Sequence, residues 1–156
     1  MSIQAGDKVP AGTFGIMTQN GPGALSSDDL FSGKRVVVFS VPGAFTPTCS
    51  AQHLPGFVQH GDELKAKGID TIACLAVNDV FVMGAWGKDQ GVGDAVLMLA
   101  DGNGDFTRAL GLELDATGFG MGTRGQRFAM VVNDGTVEAV HVEAPGAFEV
   151  SSAEYL

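Results

Sequence analysis

The chain has 156 residues, of which 45% are hydrophobic and 17% charged, a composition that indicates one globular domain over residues 1–156 and excludes an intrinsically disordered chain. The formal net charge of −9 disfavours nucleic acids and anionic membrane surfaces as partners, because both would repel it. Two cysteines are too few for a disulfide framework. Residues 1–8 show neither the basic nor the apolar part of a secretory leader, and no apolar run is long enough to span a bilayer, so we expect a cytoplasmic protein.

The predicted elements alternate between strands and helices after a glycine-rich N-terminal segment of turns and short strands. Short apolar runs rich in β-branched residues predict strands, and longer amphipathic stretches predict helices. In chain order these are strand 35–41, helix 54–67 ending at Gly68, strand 71–77, helix 80–88, strand 95–100, helix 106–112, and strands 128–132 and 137–142. The last two strands flank Asp134-Gly135, which favours a tight hairpin turn.

This order of elements is typical of an α/β protein. Strands joined through helices run parallel, whereas the closing hairpin adds antiparallel strands. The sequence therefore predicts a mixed central β-sheet flanked by helices on both faces, and a thioredoxin-like fold fits that layout.

The segment around Cys49 carries the strongest chemical signal. Residues 42–49, PGAFTPTC, connect a predicted strand to a predicted helix. Thr46 suits the N-cap and Pro47 the first helical position, so Cys49 falls in the first turn. There the free N–H groups and the helix dipole favour a thiolate over a thiol. A free cysteine is more often a small buried hydrophobic residue, but this position favours a reactive one.

The same segment resembles the peroxiredoxin active-site motif Pro-x-x-x-Thr-x-x-Cys, met by Pro42, Thr46 and Cys49. The similarity extends to the type II, or peroxiredoxin-5-like, subfamily along nearly the whole chain, through residues 49–57, 77–79, 119–122 and 127–131. The resemblance implies a thiol-dependent peroxidase that reduces hydrogen peroxide and alkyl hydroperoxides on a thioredoxin fold. It implies no metal and no organic cofactor.

The resemblance also implies roles for individual residues. Cys49 attacks the peroxide and becomes a sulfenic acid, while Thr46 and Arg127 hold and polarise the O–O bond. Pro42 shields the thiolate from water. Arg124, three residues earlier, is the nearest alternative to Arg127 for this role and is expected to support the site. His53 is expected to orient Arg127, with an ordinary surface histidine as the alternative.

The second cysteine and residue 151 bear on how the sulfenic acid is reduced. Cys74 lies inside an apolar strand and reads as a core residue. Some members of the subfamily carry a resolving cysteine near the C-terminus, where this chain has Ser151. We therefore expect a one-cysteine cycle, with glutathione, glutaredoxin or thioredoxin as the reductant. The resemblance further suggests a homodimer, with contacts around Phe45 and residues 80–86.

Other functions and sites fit the sequence less well. A disulfide oxidoreductase would need Cys-x-x-Cys, but Ser50-Ala51-Gln52 follows Cys49. A non-catalytic redox-sensing or binding module on the same fold stays open. Gly120-x-Gly122-x-x-Gly125 lacks the strand and helix of a dinucleotide site. Residues 101–105 begin like a calcium loop, but Phe106 and Leu112 stand where that loop needs its glycine and its glutamate, so we expect a turn that caps the following helix.

Overall fold

The computed structural model describes residues 2–144, 146–153 and 155–156. A π-helical turn, Cys49–His53, and a 3₁₀ turn, Thr117–Phe119, accompany the regular elements. The strands are β1 (Thr13–Thr18), β2 (Gly21–Ser26), β3 (Arg35–Ser40), β4 (Thr71–Ala76), β5 (Leu97–Ala100), β6 (Glu113–Asp115), β7 (Thr123–Gly125), β8 (Phe128–Asn133) and β9 (Thr136–Val142). The α-helices are α1 (Ser27–Phe31), α2 (Leu54–Gln59), α3 (Gly61–Ala66), α4 (Val80–Asp89) and α5 (Asp105–Leu110).

Seven of the strands form one mixed sheet in the order β2-β1-β5-β4-β3-β8-β9. Strands β3, β4 and β5 are parallel, and the remaining pairs are antiparallel. Asp134 and Gly135 both have positive φ, 49° and 81°, so the β8–β9 connection is the tight turn that the sequence predicts. The predicted mixed sheet is confirmed.

Two hydrophobic cores lie on opposite faces of this sheet, because neighbouring strand residues point in opposite directions. In β3, Val37 and Phe39 contact one core, which α2, α3 and α4 complete. Val36 and Val38 contact the other, which α1 and α5 complete. The prediction of helices on both faces is therefore confirmed. In the part of the chain that the structure describes, no helix has the length and apolar character to cross a membrane.

The predicted helix 54–67 is wrong in its continuity, because it breaks at His60 into α2 and α3. The π-helical turn Cys49–His53 precedes it, with the Leu54 N–H bonded to the Cys49 carbonyl. Pro55 explains this turn, since it has no N–H and its ring would clash with an α-helical carbonyl four residues earlier. Gly68, with φ +95°, comes directly after Lys67, the C-cap of α3, and ends this helical segment as predicted.

Three short elements were not predicted. Helix α1 begins at a Ser26 cap, whose hydroxyl accepts from the Asp29 N–H at 3.1 Å. Strands β6 and β7 form a separate two-stranded sheet between α5 and β8. Each of these elements has five residues or fewer, so hydrophobic periodicity has too few residues to show them.

Candidate active site

The sheet brings distant parts of the chain to one edge. The parallel strands β3 and β4 both end there, while β8, which runs antiparallel to β3, begins there. Ser40 at the end of β3 lies beside Phe128 at the start of β8. The segment after β3 and the residue before β8, Arg127, therefore meet at this edge.

The segment between β3 and the Cys49 helix is held by hydrogen bonds to its own backbone and to the loop after β4. The Ala44 N–H donates to Asn78 Oδ1 at 3.0 Å. The Thr46 hydroxyl donates to the Gly43 carbonyl at 2.7 Å, and the Thr46 carbonyl accepts from the Ser50 N–H at 2.9 Å. Thr46 thus stands immediately before the first helical turn. Because the hydroxyl hydrogen of Thr46 is donated to the Gly43 carbonyl, the hydroxyl oxygen can accept a hydrogen bond from a substrate.

Cys49 is fully buried and faces Arg127. One guanidinium nitrogen of Arg127, Nη2, donates to Cys49 Sγ at 3.0 Å. The other, Nη1, lies 2.7 Å from His53 Nδ1, and the Phe148 ring lies 5.8 Å from the guanidinium carbon. The planar guanidinium of Arg127 therefore contacts the sulfur and the histidine at once. A lysine ammonium, which is a single flexible charged group, would not hold both contacts in a fixed orientation.

The hydrogen bonds of His53 fix its tautomer. A guanidinium can only donate, so Nδ1 must accept from Arg127 and carry no proton. Nε2 then carries the proton and donates to the Ser151 carbonyl at 2.9 Å. Burial, and secondly the charge of Arg127, lower the pKa of His53 from 6.5 to about 3. His53 is fully buried and neutral, so it is not the surface histidine that the sequence left as an alternative.

Two further residues complete this network, and the sequence reasoning missed both of their roles. Ser151 is fully buried, and its hydroxyl donates to Glu143 Oε2 at 2.6 Å. Glu143 follows β9 directly, and its N–H donates to the Arg127 carbonyl at 2.9 Å. The low exposure of a glutamate could not be read from its neighbours in the sequence.

Arg124 and Pro42 lie at the margin of the site. Arg124 donates from Nε to the Met121 carbonyl at 2.9 Å, and its Nη1 lies beside Gly43, where an added Cβ would be 3.2 Å away. It therefore contacts the segment before the Cys49 helix, whereas Arg127 contacts the sulfur. Pro42 is half-buried at the start of the same segment.

Cys74 lies on β4 next to Phe39 of β3 and is fully buried with a free thiol. Burial, and secondly the neighbouring Cys49, raise the pKa of Cys74 well above its ordinary value. These features fit the core position that the sequence predicts.

The two glycine- and aspartate-rich segments have structural roles. Asp101 caps α5, because its carboxylate accepts from the backbone N–H groups of Phe106 and Thr107 and from the Thr107 hydroxyl. The segment 120–125 runs into β7 and carries Arg124. Among the residues that the structure describes, no group of three or more His, Cys, Asp or Glu is placed to hold a metal ion.

The arrangement defines a class of protein. The sulfur of a buried cysteine lies at a helix start and accepts a hydrogen bond from an arginine, whose histidine partner is neutral. This arrangement suits attack by the sulfur on a small uncharged oxidant. The absence of a second cysteine in the helix turn separates it from the dithiol oxidoreductases of similar fold. The fold and the site together are those of a thiol peroxidase.

Comparisons with known proteins agree. The Redoxin family model matches residues 4–156. Peroxiredoxin-2B of Arabidopsis thaliana is 48% identical over 153 residues, which cover 97% of this chain and 94% of that protein. The chloroplastic peroxiredoxin-2E of the same plant is 48% identical over 157 residues, with 98% and 67% coverage.

A solved structure supports the same conclusion. Reduced Prx3 of Vibrio vulnificus in complex with hydrogen peroxide superposes with a TM-score of 0.94 at 52% identity, over 98% of this chain and 96% of that one. The chain belongs to the Redoxin family and is a peroxiredoxin of the type II group. The predicted thioredoxin-like fold and the predicted thiol peroxidase activity are thereby confirmed.

Proposed function

We propose that this thiol peroxidase reduces hydrogen peroxide and alkyl hydroperoxides at Cys49, with Thr46 and Arg127 as the groups that activate the peroxide. The contact of 3.0 Å between Arg127 Nη2 and Cys49 Sγ carries the proposal. It places a permanent positive charge where an attacking sulfur and a breaking O–O bond must meet.

The reaction begins when the Cys49 thiolate attacks one oxygen of the peroxide. An S–O bond forms as the O–O bond breaks, the sulfur is oxidised by two electrons to a sulfenic acid, and the other oxygen leaves and takes a proton to give water or an alcohol. Arg127 stabilises the negative charge on the departing oxygen. The Thr46 oxygen accepts the hydrogen bond of the peroxide O–H and so orients it.

Polarisation of the peroxide supplies most of the acceleration. A thiol that ionises more readily is also a weaker nucleophile, with a slope of about 0.4–0.5, so ionisation gives little net gain in rate. Groups that bind the O–O bond more tightly as it breaks lower the barrier directly. Pro42 and the fully buried position of Cys49 exclude water, which strengthens these interactions.

The test is stopped-flow oxidation of the reduced protein by hydrogen peroxide. The single tryptophan of the chain, Trp86, donates from Nε1 to Ser50 Oγ at 3.0 Å, next to Cys49, and gives a fluorescence signal. We expect a rate far above that of a free thiol in the wild type and none in Cys49→Ser. A rate like that of an ordinary cysteine would reject the proposal and favour a redox-sensing or binding role.

For the reductive half of the cycle we propose a single cysteine and an external thiol. An incoming thiolate attacks the sulfenic sulfur, and the hydroxide that leaves takes a proton to become water. A second thiol then attacks the mixed disulfide, which restores the Cys49 thiol and joins the two external thiols in a disulfide. Burial and a raised pKa make Cys74 a poor attacking thiol, and Ser151 has no sulfur. Turnover with glutathione and glutaredoxin, or with thioredoxin, should persist in Cys74→Ser. Its loss in a folded variant would reject the one-cysteine cycle.

We also propose a cytoplasmic homodimer. A cycle driven by external thiols needs a reducing compartment, which cell fractionation with an antibody against the protein can test. Phe45, in the segment before Cys49, and Phe81, on α4, are large rings with 52% and 64% exposure, and such surface suits a subunit contact. Sedimentation velocity should give a dimer that Phe81→Asp dissociates; a monomeric wild type would reject the assembly.

A further inference from the structure

One carboxylate oxygen organises the segment behind the site. Glu143 is 7% exposed, and its Oε2 accepts from the N–H groups of Glu149, Val150 and Ser151 at 2.8 Å each. The Ser151 hydroxyl donates to the same oxygen at 2.6 Å. Three consecutive residues are thus tied to a single atom.

The carboxylate is ionised when it makes these bonds. Burial alone would raise the pKa of Glu143, but the hydrogen bonds from the Ser151 hydroxyl and the backbone lower it below its usual value. Bonds to an ionised acceptor are about twice as strong as neutral ones. The negative charge therefore fixes the direction of the Ser151 carbonyl.

Glu143 also holds Arg127 from the other side. Its N–H donates to the Arg127 carbonyl at 2.9 Å, which extends the pairing of β8 with β9 by one step. The main chain of Arg127 and the carbonyl that receives His53 Nε2 are consequently anchored to one residue. Neither the Glu143 side chain nor the Ser151 hydroxyl is bonded to Cys49 Sγ.

We propose that Glu143 is a positioning residue for peroxide reduction, acting on Arg127 through Ser151 and His53. The inference rests on the proposed function of Cys49 and Arg127. Without the carboxylate charge, residues 149–151 shift and the Ser151 carbonyl leaves Nε2. His53 can then place its proton on Nδ1, which would face the guanidinium donor instead of accepting from it, and Arg127 loses its orientation toward the sulfur.

The test compares two reactions of Cys49 in Glu143→Gln. Hydrogen peroxide needs an oriented Arg127, whereas neutral iodoacetamide reports the thiolate alone. We expect the second-order rate constant with peroxide to fall at least about tenfold, because small misplacements of a reacting group cost about that much or more. The rate with iodoacetamide should change less than about threefold. Glu113→Gln, which removes an exposed glutamate on β6, is the matched control and should react like the wild type.

Two further readouts separate positioning from general loosening. In an Arg127→Lys background, Glu143→Gln should add less than about a twofold further loss, because a residue that acts through Arg127 has nothing left to position. Nitrogen-15 NMR should show the Nε2–H tautomer of His53 in the wild type and its loss in Glu143→Gln. Additive losses, equal losses with both reagents, or an unchanged tautomer would each overturn the role of Glu143.

A milder variant guards against a fold defect. Ser151→Ala removes one of the four donors to Oε2 and should lower the peroxide rate by about threefold, with the iodoacetamide rate unchanged. A slow reaction of the wild type with peroxide would reject the proposed function. The tautomer of His53 in Glu143→Gln would then still show whether Glu143 positions His53. A fast wild type with an unaffected Glu143→Gln would reject the positioning role alone.

Discussion

Replacing His53 with glutamine should remove one acid-sensitive step from the stability of the protein. His53 is buried and neutral, with a pKa lowered from 6.5 to about 3 by burial and by Arg127. The unfolded chain therefore takes up a proton near pH 6.5 that the folded protein refuses. The stabilisation is fully present above pH 6.5 and is lost progressively as the pH falls toward 3.

The size of the effect follows from the two pKa values. On acidification from pH 8 to pH 5, this histidine takes up about one proton in the unfolded state and almost none in the folded state. Because pH 5 lies about 1.5 units below the unfolded-state pKa of 6.5, the free energy of unfolding falls by about 2 kcal/mol. Glutamine has an amide that can accept from Arg127 and donate to Ser151. It does not titrate, so the variant does not lose this part of its stability on acidification. The advantage of wild type over His53→Gln should thus shrink by about 2 kcal/mol on acidification.

Urea unfolding of the reduced proteins at pH 8 and pH 5 measures this difference. His141→Gln is the matched control, because it removes a histidine outside the network of Arg127 and Ser151. Glu143 also faces His53, but it is present in both proteins and cancels in the comparison. If the difference between wild type and His53→Gln were the same at both pH values, His53 would not be held neutral by the fold, and the tautomer argument would fail.

Three further predictions concern the site directly. Arg127→Lys keeps the charge but cannot bond Sγ and His53 together, so stopped-flow oxidation by hydrogen peroxide should slow by about 10²-fold; a change below threefold would contradict the role of the fork. Thr46→Val keeps the shape but removes the hydroxyl, with a loss of about 10²-fold expected in the same assay, whereas Thr46→Ser should stay near wild type. Ser50→Ala leaves the buried Trp86 Nε1–H without its acceptor and should lower the free energy of unfolding in urea by about 1–3 kcal/mol; an unchanged midpoint would mean that the hydrogen bond does not form in solution.

The sequence by itself determined the features that depend on neighbouring residues. The nearly continuous burial of β3 and β4 follows from their runs of apolar residues, and the β8–β9 turn follows from Asp134-Gly135. The segment Pro42 to Cys49 is also local, since Thr46, Pro47 and Cys49 lie within one helix start, although the Thr46 hydroxyl donates to the Gly43 carbonyl and does not cap the helix. These features were predicted because local conformational preferences and short-range periodicity fix them.

The short elements and the break between α2 and α3 depended on packing. Helix α1 and strands β6 and β7 are too short to form on their own preference and are stabilised by the elements beside them. The break at His60 likewise divides a stretch whose apolar pattern predicts one helix.

Only the tertiary structure decided which side chains of the site are hydrogen-bonded to one another. Arg127 meets Cys49 across 78 positions of sequence, and His53 meets Ser151 across 98. The neutral state of His53 depends on burial and on a neighbouring guanidinium, and the role of Glu143 on donors that a folded C-terminal segment brings to one oxygen. A hydrogen-bond partner and a pKa belong to the environment of a side chain, and that environment exists only once the sheet has brought its edges together.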